Sequence, residues 1–212
     1  METRQPNKGV QILQSYLARM GRGVLLVMSG PSGAGKGTLS RRLLNELPQL
    51  TLSISATTRK PREGEREGVH YYFLRKEDFE RQIGENRFLE FAQVYDNYYG
   101  TPLAPVQAAL ASGKDVLLEI DIQGALQVKE RYPEAALIFI APPSLEELAR
   151  RIYGRGTDSQ EVIEKRLSLA SQELEFINRY DYCVINDDVD RALTRLRAIV
   201  EAEKSRIYRK LE

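Results

Sequence analysis

The chain has 212 residues and a formal charge of +1, because 31 Lys and Arg nearly balance 30 Asp and Glu. This length suits one α/β core with a modest insertion, and the balanced charge argues against a non-specific nucleic-acid binder, which needs excess basic residues. With one cysteine, no apolar run near 20 residues and a polar N-terminus, we expect a soluble, cytoplasmic protein without disulfides and without membrane or nucleic-acid partners.

The first 21 residues are predicted to form an N-terminal extension with one amphipathic helix over residues 10–20, whose apolar positions follow a helical spacing. A strand is predicted over residues 24–28, a helix over 39–47 and a strand over 50–55. Residues 56–102 change character and contain turn signals, a strand-like stretch over 69–74 and a short helix over 76–83. We interpret this segment as an inserted α+β subdomain.

The remaining chain returns to alternating helices and buried strands. Helices are predicted over residues 103–112, 123–131, 144–153, 159–178 and 189–209, and strands over 115–120, 135–140 and 182–185. Ser144 is expected to cap its helix, with Glu147 completing a capping box. Near-continuous apolar strands separated by helices indicate a parallel sheet covered on both faces. Cys183 lies in the last apolar strand and is expected to be a buried structural thiol.

The segment 29–38 reads Ser-Gly-Pro-Ser-Gly-Ala-Gly-Lys-Gly-Thr and lies between a predicted strand and a predicted helix. Glycines allow consecutive N–H groups to converge on phosphate oxygens at a helix N-terminus, and a lysine reaches the terminal phosphates. This pattern predicts a nucleoside triphosphate site. The predicted binding residues are Gly30, Pro31, Ser32, Gly33, Ala34, Gly35, Lys36, Gly37 and Thr38.

Gly37 departs from the commonest form of this loop, in which a Ser or Thr follows the lysine and supplies a hydroxyl ligand for magnesium. The sequence Gly-Lys-Gly-Thr resembles the loop of nucleoside monophosphate kinases. We therefore expect ATP as co-substrate and Mg²⁺ held through water and the substrate phosphates, with no direct protein ligand. Asp121 ends a predicted strand near the loop, where an acid can orient magnesium waters.

Residues of the inserted segment indicate the chemical class of the molecule that accepts the phosphoryl group. Arg59 and Arg62 lie three residues apart, and tyrosines follow at 71, 72, 98 and 99. Two guanidinium groups and tyrosine hydroxyls can grip a phosphate monoester through charge-assisted hydrogen bonds. The alternative is that the two arginines are solvated loop charges paired with Glu63 or Glu65. The single histidine, His70, is expected to be a strand residue rather than a catalyst.

These motifs occur in the order seen in the guanylate kinase family, which the chain resembles from about residue 22 to 209. The matching stretches are the loop at 29–38, Ser-Ala-Thr-Thr-Arg-Lys-Pro-Arg at 55–62, Tyr71, Phe-Leu-Glu at 88–90, Tyr-Tyr-Gly-Thr at 98–101, Glu-Ile-Asp-Ile-Gln-Gly at 119–124, Ala-Pro-Pro-Ser at 141–144, Gly-Arg-Gly-Thr at 154–157 and Val-Ile-Asn-Asp at 184–187. The resemblance implies a P-loop NTPase fold with a three-layer core (22–55 and 103–209), a GMP-binding insertion (56–102) and a small lid at about 154–160.

The resemblance also implies ATP:GMP phosphotransfer and assigns residues to it. The GMP site would contain Ser55, Arg59, Arg62, Tyr71, Glu90, Tyr99, Thr101, Glu119 and Asp121. Arg59, Arg62, Tyr71 and Tyr99 would hold the phosphate, and the others would surround the base. The catalytic residues would be Lys36, Arg59, Arg151, Arg155 and Arg166. Glu119 stands where some family members carry Asp.

Guanine offers N1–H and N2–H as neighbouring donors, which a carboxylate such as Glu90 accepts together, while a hydroxyl from Ser55 or Thr101 donates to O6.

Two alternatives stay open at this point: a kinase for another nucleoside monophosphate, and a guanylate-kinase-like protein-binding module without catalysis. The sequence assigns no residue to the ribose 2′-hydroxyl, so it does not distinguish GMP from dGMP. It also does not distinguish a monomer from a homo-oligomer.

Overall fold

The computed structural model describes residues 7–94, 96–153 and 160–207. The strands are β1 (Leu25–Ser29), β2 (Leu50–Leu52), β3 (Ala56–Thr57), β4 (Tyr72–Phe73), β5 (Phe88–Val94), β6 (Asn97–Pro102), β7 (Asp115–Glu119), β8 (Ala136–Ala141) and β9 (Tyr182–Ile185). The helices are α1 (Lys8–Met20), α2 (Lys36–Glu46), α3 (Lys76–Gly84), α4 (Leu103–Ala111), α5 (Ile122–Arg131), α6 (Leu145–Tyr153), α7 (Gln160–Leu174) and α8 (Val189–Lys204). Among these described helices, none is long and apolar enough to cross a membrane.

The central sheet has five parallel strands in the order β2-β7-β1-β8-β9. Every residue of β1 and β8 is buried, as expected for strands that are covered on both faces. One face packs against α2 and α8 through residues such as Leu39 and Leu196, and the other packs against α4 and α5 through Val106 and Val128. The predicted α/β fold with a central parallel sheet is therefore confirmed.

A second sheet, in the order β4-β3-β6-β5, is built from residues within 56–102. Its hairpin of β5 and β6 is antiparallel. Phe79 of α3 packs beneath this sheet, with its ring 4.2 Å from that of Phe88 and 5.3 Å from that of Tyr98. These stacked rings fix α3 against the hairpin, which forms one wall of the cleft described below.

Several predicted boundaries differ from the structure. The helix predicted from residue 39 begins at Lys36, because the end of the glycine-rich loop forms its first turn. The helix predicted over 159–178 is described from Gln160 to Leu174, and a 3₁₀ turn at Ile177–Arg179 follows it. The strand predicted over 69–74 reduces to Tyr72–Phe73, because residues 68–70 form a turn in which Gly68 has φ +69°.

Two expectations about single residues are wrong. His70 lies in the turn before β4 rather than in a strand, and its Nδ1 accepts a 3.0 Å hydrogen bond from the backbone N–H of Arg66. Cys183 is exposed rather than buried. It lies on β9 at the edge of the central sheet, where Val184 is buried while its neighbours on either side are not. The alternation of side chains along a strand therefore leaves the thiol outside the core.

Candidate active site

The glycine-rich loop connects the carboxyl end of β1 to the first residue of α2. Gly35 caps α2 with φ +94°, a conformation that favours glycine. A Cβ at this position would lie 2.3 Å from Nδ2 of Asn186, which donates a 2.7 Å hydrogen bond to the Ala34 carbonyl. The loop conformation therefore depends on glycine here. Beside the loop lies a cavity of about 410 Å³, lined by Ser32, Gly33, Gly35, Lys36, Gly37, Thr38, Arg41 and Glu119.

Lys36 folds back over the loop. Its Nζ donates to the carbonyl of Gly30 and, at 3.0 Å, to the carbonyl of Pro31. These bonds hold the ammonium group against the loop, and Lys36 lines the cavity at the helix N-terminus, which already favours negative charge. Of the predicted loop residues, Gly30, Pro31 and Ala34 do not line the cavity. Their carbonyls accept hydrogen bonds from Lys36 and Asn186 instead.

A second cavity of about 290 Å³ opens on the other side of Lys36, between the two sheets. Its walls contain six of the residues predicted for the acceptor site, namely Ser55, Tyr71, Glu90, Tyr99, Glu119 and Asp121. Lys36 and Glu119 line both cavities. The two spaces therefore adjoin at a lysine and a carboxylate, outside the carboxyl ends of β1 and β7, where ligands bind in open α/β sheets.

Glu90 is a buried carboxylate in the wall of this second cavity, with 4% of its surface exposed. Its Oε1 accepts a 2.7 Å hydrogen bond from Oγ1 of Thr101, which is fully buried on the paired strand β6. Burial raises the pKa of Glu90 to about 7, and the nearby charge of Asp121 adds to the shift. Asp121 caps α5 by accepting a 2.7 Å hydrogen bond from the backbone N–H of Gly124.

The two arginines of the inserted segment differ in their surroundings. Arg59 is half-buried, and its guanidinium lies 5.4 Å from the ring centre of Tyr71, which in turn contacts Tyr99 edge to face. Both terminal nitrogens of Arg59 bond to the carboxylate of Glu65 at 2.9 Å. This is the pairing that the sequence left open as an alternative. Neither arginine lines the cavity itself: Arg59 contacts the lining residue Tyr71, whereas Arg62 is exposed, so the structure does not bring the Arg62 side chain together with the others.

Glu119 leaves the end of β7 and reaches the start of α2. Its Oε2 accepts a 2.6 Å hydrogen bond from Oγ of Ser40. A Cβ added to Gly37 would lie 3.5 Å from its Oε1, so the carboxylate covers the position where the commonest form of this loop has a hydroxyl side chain. Glu119 is therefore closer to the triphosphate cavity than the sequence suggested, because it lines that cavity as well as the acceptor cleft.

Comparisons with known proteins agree with this geometry. A family model described as guanylate kinase matches residues 22–203. The chain belongs to the guanylate kinase family. A guanylate kinase from Desulfitobacterium hafniense is 54% identical over 188 residues, covering 89% of this chain and 94% of that protein. One from Caldanaerobacter subterraneus subsp. tengcongensis is 57% identical and covers 89% and 91%. The crystal structure of guanylate kinase from Anaplasma phagocytophilum is 35% identical, with a TM-score of 0.71 and 88% of each chain covered.

Of the arginines predicted to be catalytic in this guanylate kinase, the structure describes the side chains of Arg59 and Arg151. Arg151 of α6 donates 2.7 Å and 2.9 Å hydrogen bonds to Glu147 and to the Asn186 carbonyl, so it is held between α6 and the chain after β9. Arg155 and the lid at 154–160 lie outside the described residues, except for Gln160 at the start of α7. Arg166 lies on α7, but its side chain is outside the described part of the chain. Of the capping box predicted at Ser144, the cap is confirmed, because its Oγ accepts from the backbone N–H of Glu147. The carboxylate of Glu147 instead accepts from Arg150 and Arg151.

Sequence reasoning gave no role in the site to four residues that shape it: Ser40, Arg41, Glu65 and Asn186. Arg41 was detectable, since it lies one helical turn beyond Gly37 and therefore on the same face of α2. Asn186 contacts Ala34 across 152 positions of sequence, and nothing in the local pattern predicts that contact.

Proposed function

We infer that this protein transfers the terminal phosphoryl group of ATP to GMP, giving ADP and GDP. Its membership of the guanylate kinase family supports this activity, since relatives with more than half of their aligned residues identical and nearly equal length carry that name. The observation that carries the proposal is the buried carboxylate of Glu90 in a cleft that adjoins the phosphate-binding loop.

We propose that Glu90 reads the base. Once ionised, its two oxygens accept N1–H and N2–H of guanine together, and Ser55 donates to O6, because the single O–H of Thr101 is used by Glu90. Adenine lacks neighbouring donors in that arrangement and would leave a buried carboxylate unpaired, which costs about 1–3 kcal/mol or more. Thr101 already donates to Glu90, which orients the carboxylate before any ligand enters. Asp121 lies beside Glu90 and adds a further acceptor at the same wall.

The phosphate of GMP is proposed to bind between Arg59, Arg62, Tyr71 and Tyr99. The contact between Arg59 and Tyr71 and the edge-to-face pair of Tyr71 and Tyr99 support a common site for three of them. Arg62 would join this site by moving its exposed side chain when the segment closes over the nucleotide.

Phosphoryl transfer requires the protein mainly to align two substrates and to neutralise the charge on the group in flight. Lys36 lines both cavities, and this position suits contact with the transferred phosphate from the loop. Arg151, Arg155 and Arg166 are proposed to add positive charge from the lid side. The GMP phosphate oxygen is the nucleophile, so the reaction needs no histidine base.

The residues around the loop also fit Mg²⁺, which the reaction of this family implies. Oxygen ligands suit this hard cation, and Glu119 and Thr38 supply a carboxylate and a hydroxyl in the wall of the triphosphate cavity. Among the described residues, no cluster of three or more acidic, His or Cys side chains forms a metal site. We therefore propose that Glu119 and Thr38 hold Mg²⁺ through its water ligands. The cation would offset the phosphate charge.

The two alternatives are not favoured. A binding module without catalysis has no need of the intact loop, yet Lys36 and Gly35 have the contacts that a phosphate site requires. A kinase for another monophosphate does not explain a buried carboxylate opposite the base, and relatives that cover 89% of the chain are named guanylate kinases.

The decisive experiment is coupled ADP release with GMP, dGMP, AMP, UMP and CMP compared at equal concentrations. We expect GMP to exceed AMP, UMP and CMP by at least about 100-fold in kcat/KM, because each of these leaves buried polar groups unpaired. The comparison of dGMP with GMP measures whether the ribose 2′-hydroxyl contributes to kcat/KM. Equal rates with GMP and AMP would contradict the proposed function.

A further inference from the structure

Glu65 contacts both arginines of the proposed phosphate site. Its Oε1 and Oε2 accept 2.9 Å hydrogen bonds from Nη2 and Nη1 of Arg59, a bidentate geometry that is stronger and more directional than a single contact. Its Oε2 also accepts a 2.7 Å hydrogen bond from the backbone N–H of Arg62. One carboxylate therefore fixes the side chain of the first arginine and the backbone of the second.

The pair is enclosed, unlike most ion pairs at a protein surface. The side chain of Arg59 is 15% exposed and that of Glu65 is 18% exposed. The guanidinium also donates to the Lys60 carbonyl at 2.8 Å and faces the rings of Tyr71 and Phe73. A guanidinium has five N–H donors. Three are used by Glu65 and Lys60, and the other two face the side of the guanidinium where the hydroxyl of Tyr99, another residue of the proposed phosphate site, interacts with Arg59.

We propose that Glu65 is a positioning residue for the acceptor phosphate: it stays bound to Arg59 in the GMP complex and aims the remaining guanidinium donors at the phosphate. This inference rests on the proposed function, since it assumes that Arg59 binds the phosphate of GMP.

The contacts of Glu65 indicate that it orients Arg59 and does not compete with the GMP phosphate for this arginine. If Glu65 were an internal anion that GMP displaces, its departure would also break the turn from Arg62 to Glu65. That turn is closed in both directions: the backbone N–H of Glu65 donates 3.0 Å to the Arg62 carbonyl, and the Glu65 side chain accepts from the Arg62 N–H. The hydrogen bond from Arg59 lowers the pKa of Glu65 to about 2. The carboxylate therefore stays ionised at neutral pH, and no protonation step releases it.

Glu65→Gln tests this assignment with little change in shape. Gln accepts one hydrogen bond from Arg59, but its amide nitrogen then faces a guanidinium N–H, and two donors oppose each other. The matched control is Glu63→Gln, which removes the same charge from an exposed position in the same loop. Affinities of GMP and guanosine for each protein would be measured by calorimetry, together with KM for GMP and ATP.

We expect Glu65→Gln to weaken GMP binding about 10-fold to 100-fold, as for the loss of one partner of a charged hydrogen bond. Guanosine lacks the phosphate, so its affinity stays within about twofold, and KM for ATP is unchanged. Glu63→Gln leaves all four quantities within about twofold, as for an exposed position without specific contacts.

Three outcomes would overturn the inference. Tighter GMP binding by Glu65→Gln would show that Glu65 competes with the phosphate. Unchanged GMP binding would show that it has no role, and an equal loss for guanosine would show a general structural defect. If the wild-type protein bound GMP no more tightly than guanosine, the phosphate site itself would be refuted, and the proposed function with it.

Discussion

Replacing Glu90 with Gln is expected to stabilise the protein above neutral pH while it weakens guanine binding. Glu90 is 4% exposed, and burial raises its pKa from 4.5 to about 7. A carboxylate whose pKa is raised in the folded state binds its proton more tightly there than in the unfolded chain. Its contribution to stability is therefore fully present below pH 4.5 and is lost as pH rises to about 7.

The magnitude follows from the size of the shift. Each pKa unit corresponds to about 1.4 kcal/mol, so ionising the buried Glu90 costs the folded protein about 3 kcal/mol at pH 8. Gln is neutral at every pH and retains an oxygen that accepts from Thr101. We therefore expect Glu90→Gln to equal the wild type in free energy of unfolding near pH 4.5 and to exceed it by up to about 3 kcal/mol at pH 8. Urea denaturation at both pH values measures this difference, with Glu80→Gln on the exposed face of α3 as control.

The same carboxylate should make guanine binding depend on pH. Only ionised Glu90 accepts two guanine donors, so guanosine affinity of the wild type should fall about tenfold per pH unit below about 7. Guanosine is the ligand of choice because the phosphate of GMP itself titrates with a pKa of about 6. In Glu90→Gln the affinity should be weak and independent of pH, and the preference for GMP over AMP should shrink. A variant less stable than wild type at pH 8, or pH-independent guanosine binding by the wild type, would refute this reasoning.

Three further predictions concern the phosphate-binding loop, the guanine site at Glu90 and the closure of the protein around its two nucleotides. Lys36→Met should lower kcat by about 10²–10³ with the fold intact; a folded variant with more than about a tenth of the wild-type rate would contradict the loop assignment. Gly124→Ala places a Cβ 2.7 Å from Oε2 of Glu90, so KM for GMP should rise at least about tenfold while KM for ATP stays constant. A rise in KM for ATP with constant KM for GMP would count against a guanine site at Glu90. ATP and GMP together should reduce the radius of gyration in solution scattering, because water must be excluded before transfer; identical profiles would remove the argument for closure.

The core of the fold was predictable because its strands are nearly continuous apolar runs that leave few alternatives. The hairpin of β5 and β6 was not, because β6 contains Asn97, Gly100 and Pro102, residues that usually interrupt strands. Position 100 requires glycine because the neighbouring strand approaches closely: a Cβ there would lie 2.8 Å from the Glu90 carbonyl. That constraint comes from tertiary packing and has no local sequence signal.

The site was predictable in its residue types but not in its contacts. The spacing of the loop and the order of the motifs identified Lys36 and Glu90 as candidates; Lys36 lines both cavities, and Glu90 lines the acceptor cavity. The sequence did not show that Arg59 binds Glu65 while Arg62 remains exposed, since both arginines have acidic neighbours in the same loop. The lid around Arg155 and the cytoplasmic location stay predictions.

Lys36 and Glu119 form a common wall between the two cavities, and this has a consequence for inhibitor design. A single molecule that joins guanosine to an adenosine polyphosphate would extend through both spaces by passing the side chains that the two cavities share. Such a ligand loses its translational and rotational freedom once instead of twice, and it would bind more tightly than either nucleotide alone. The linker would need enough phosphates to pass the ammonium group of Lys36, so the number of phosphates that gives the highest affinity would measure the separation of the two nucleosides in the closed enzyme.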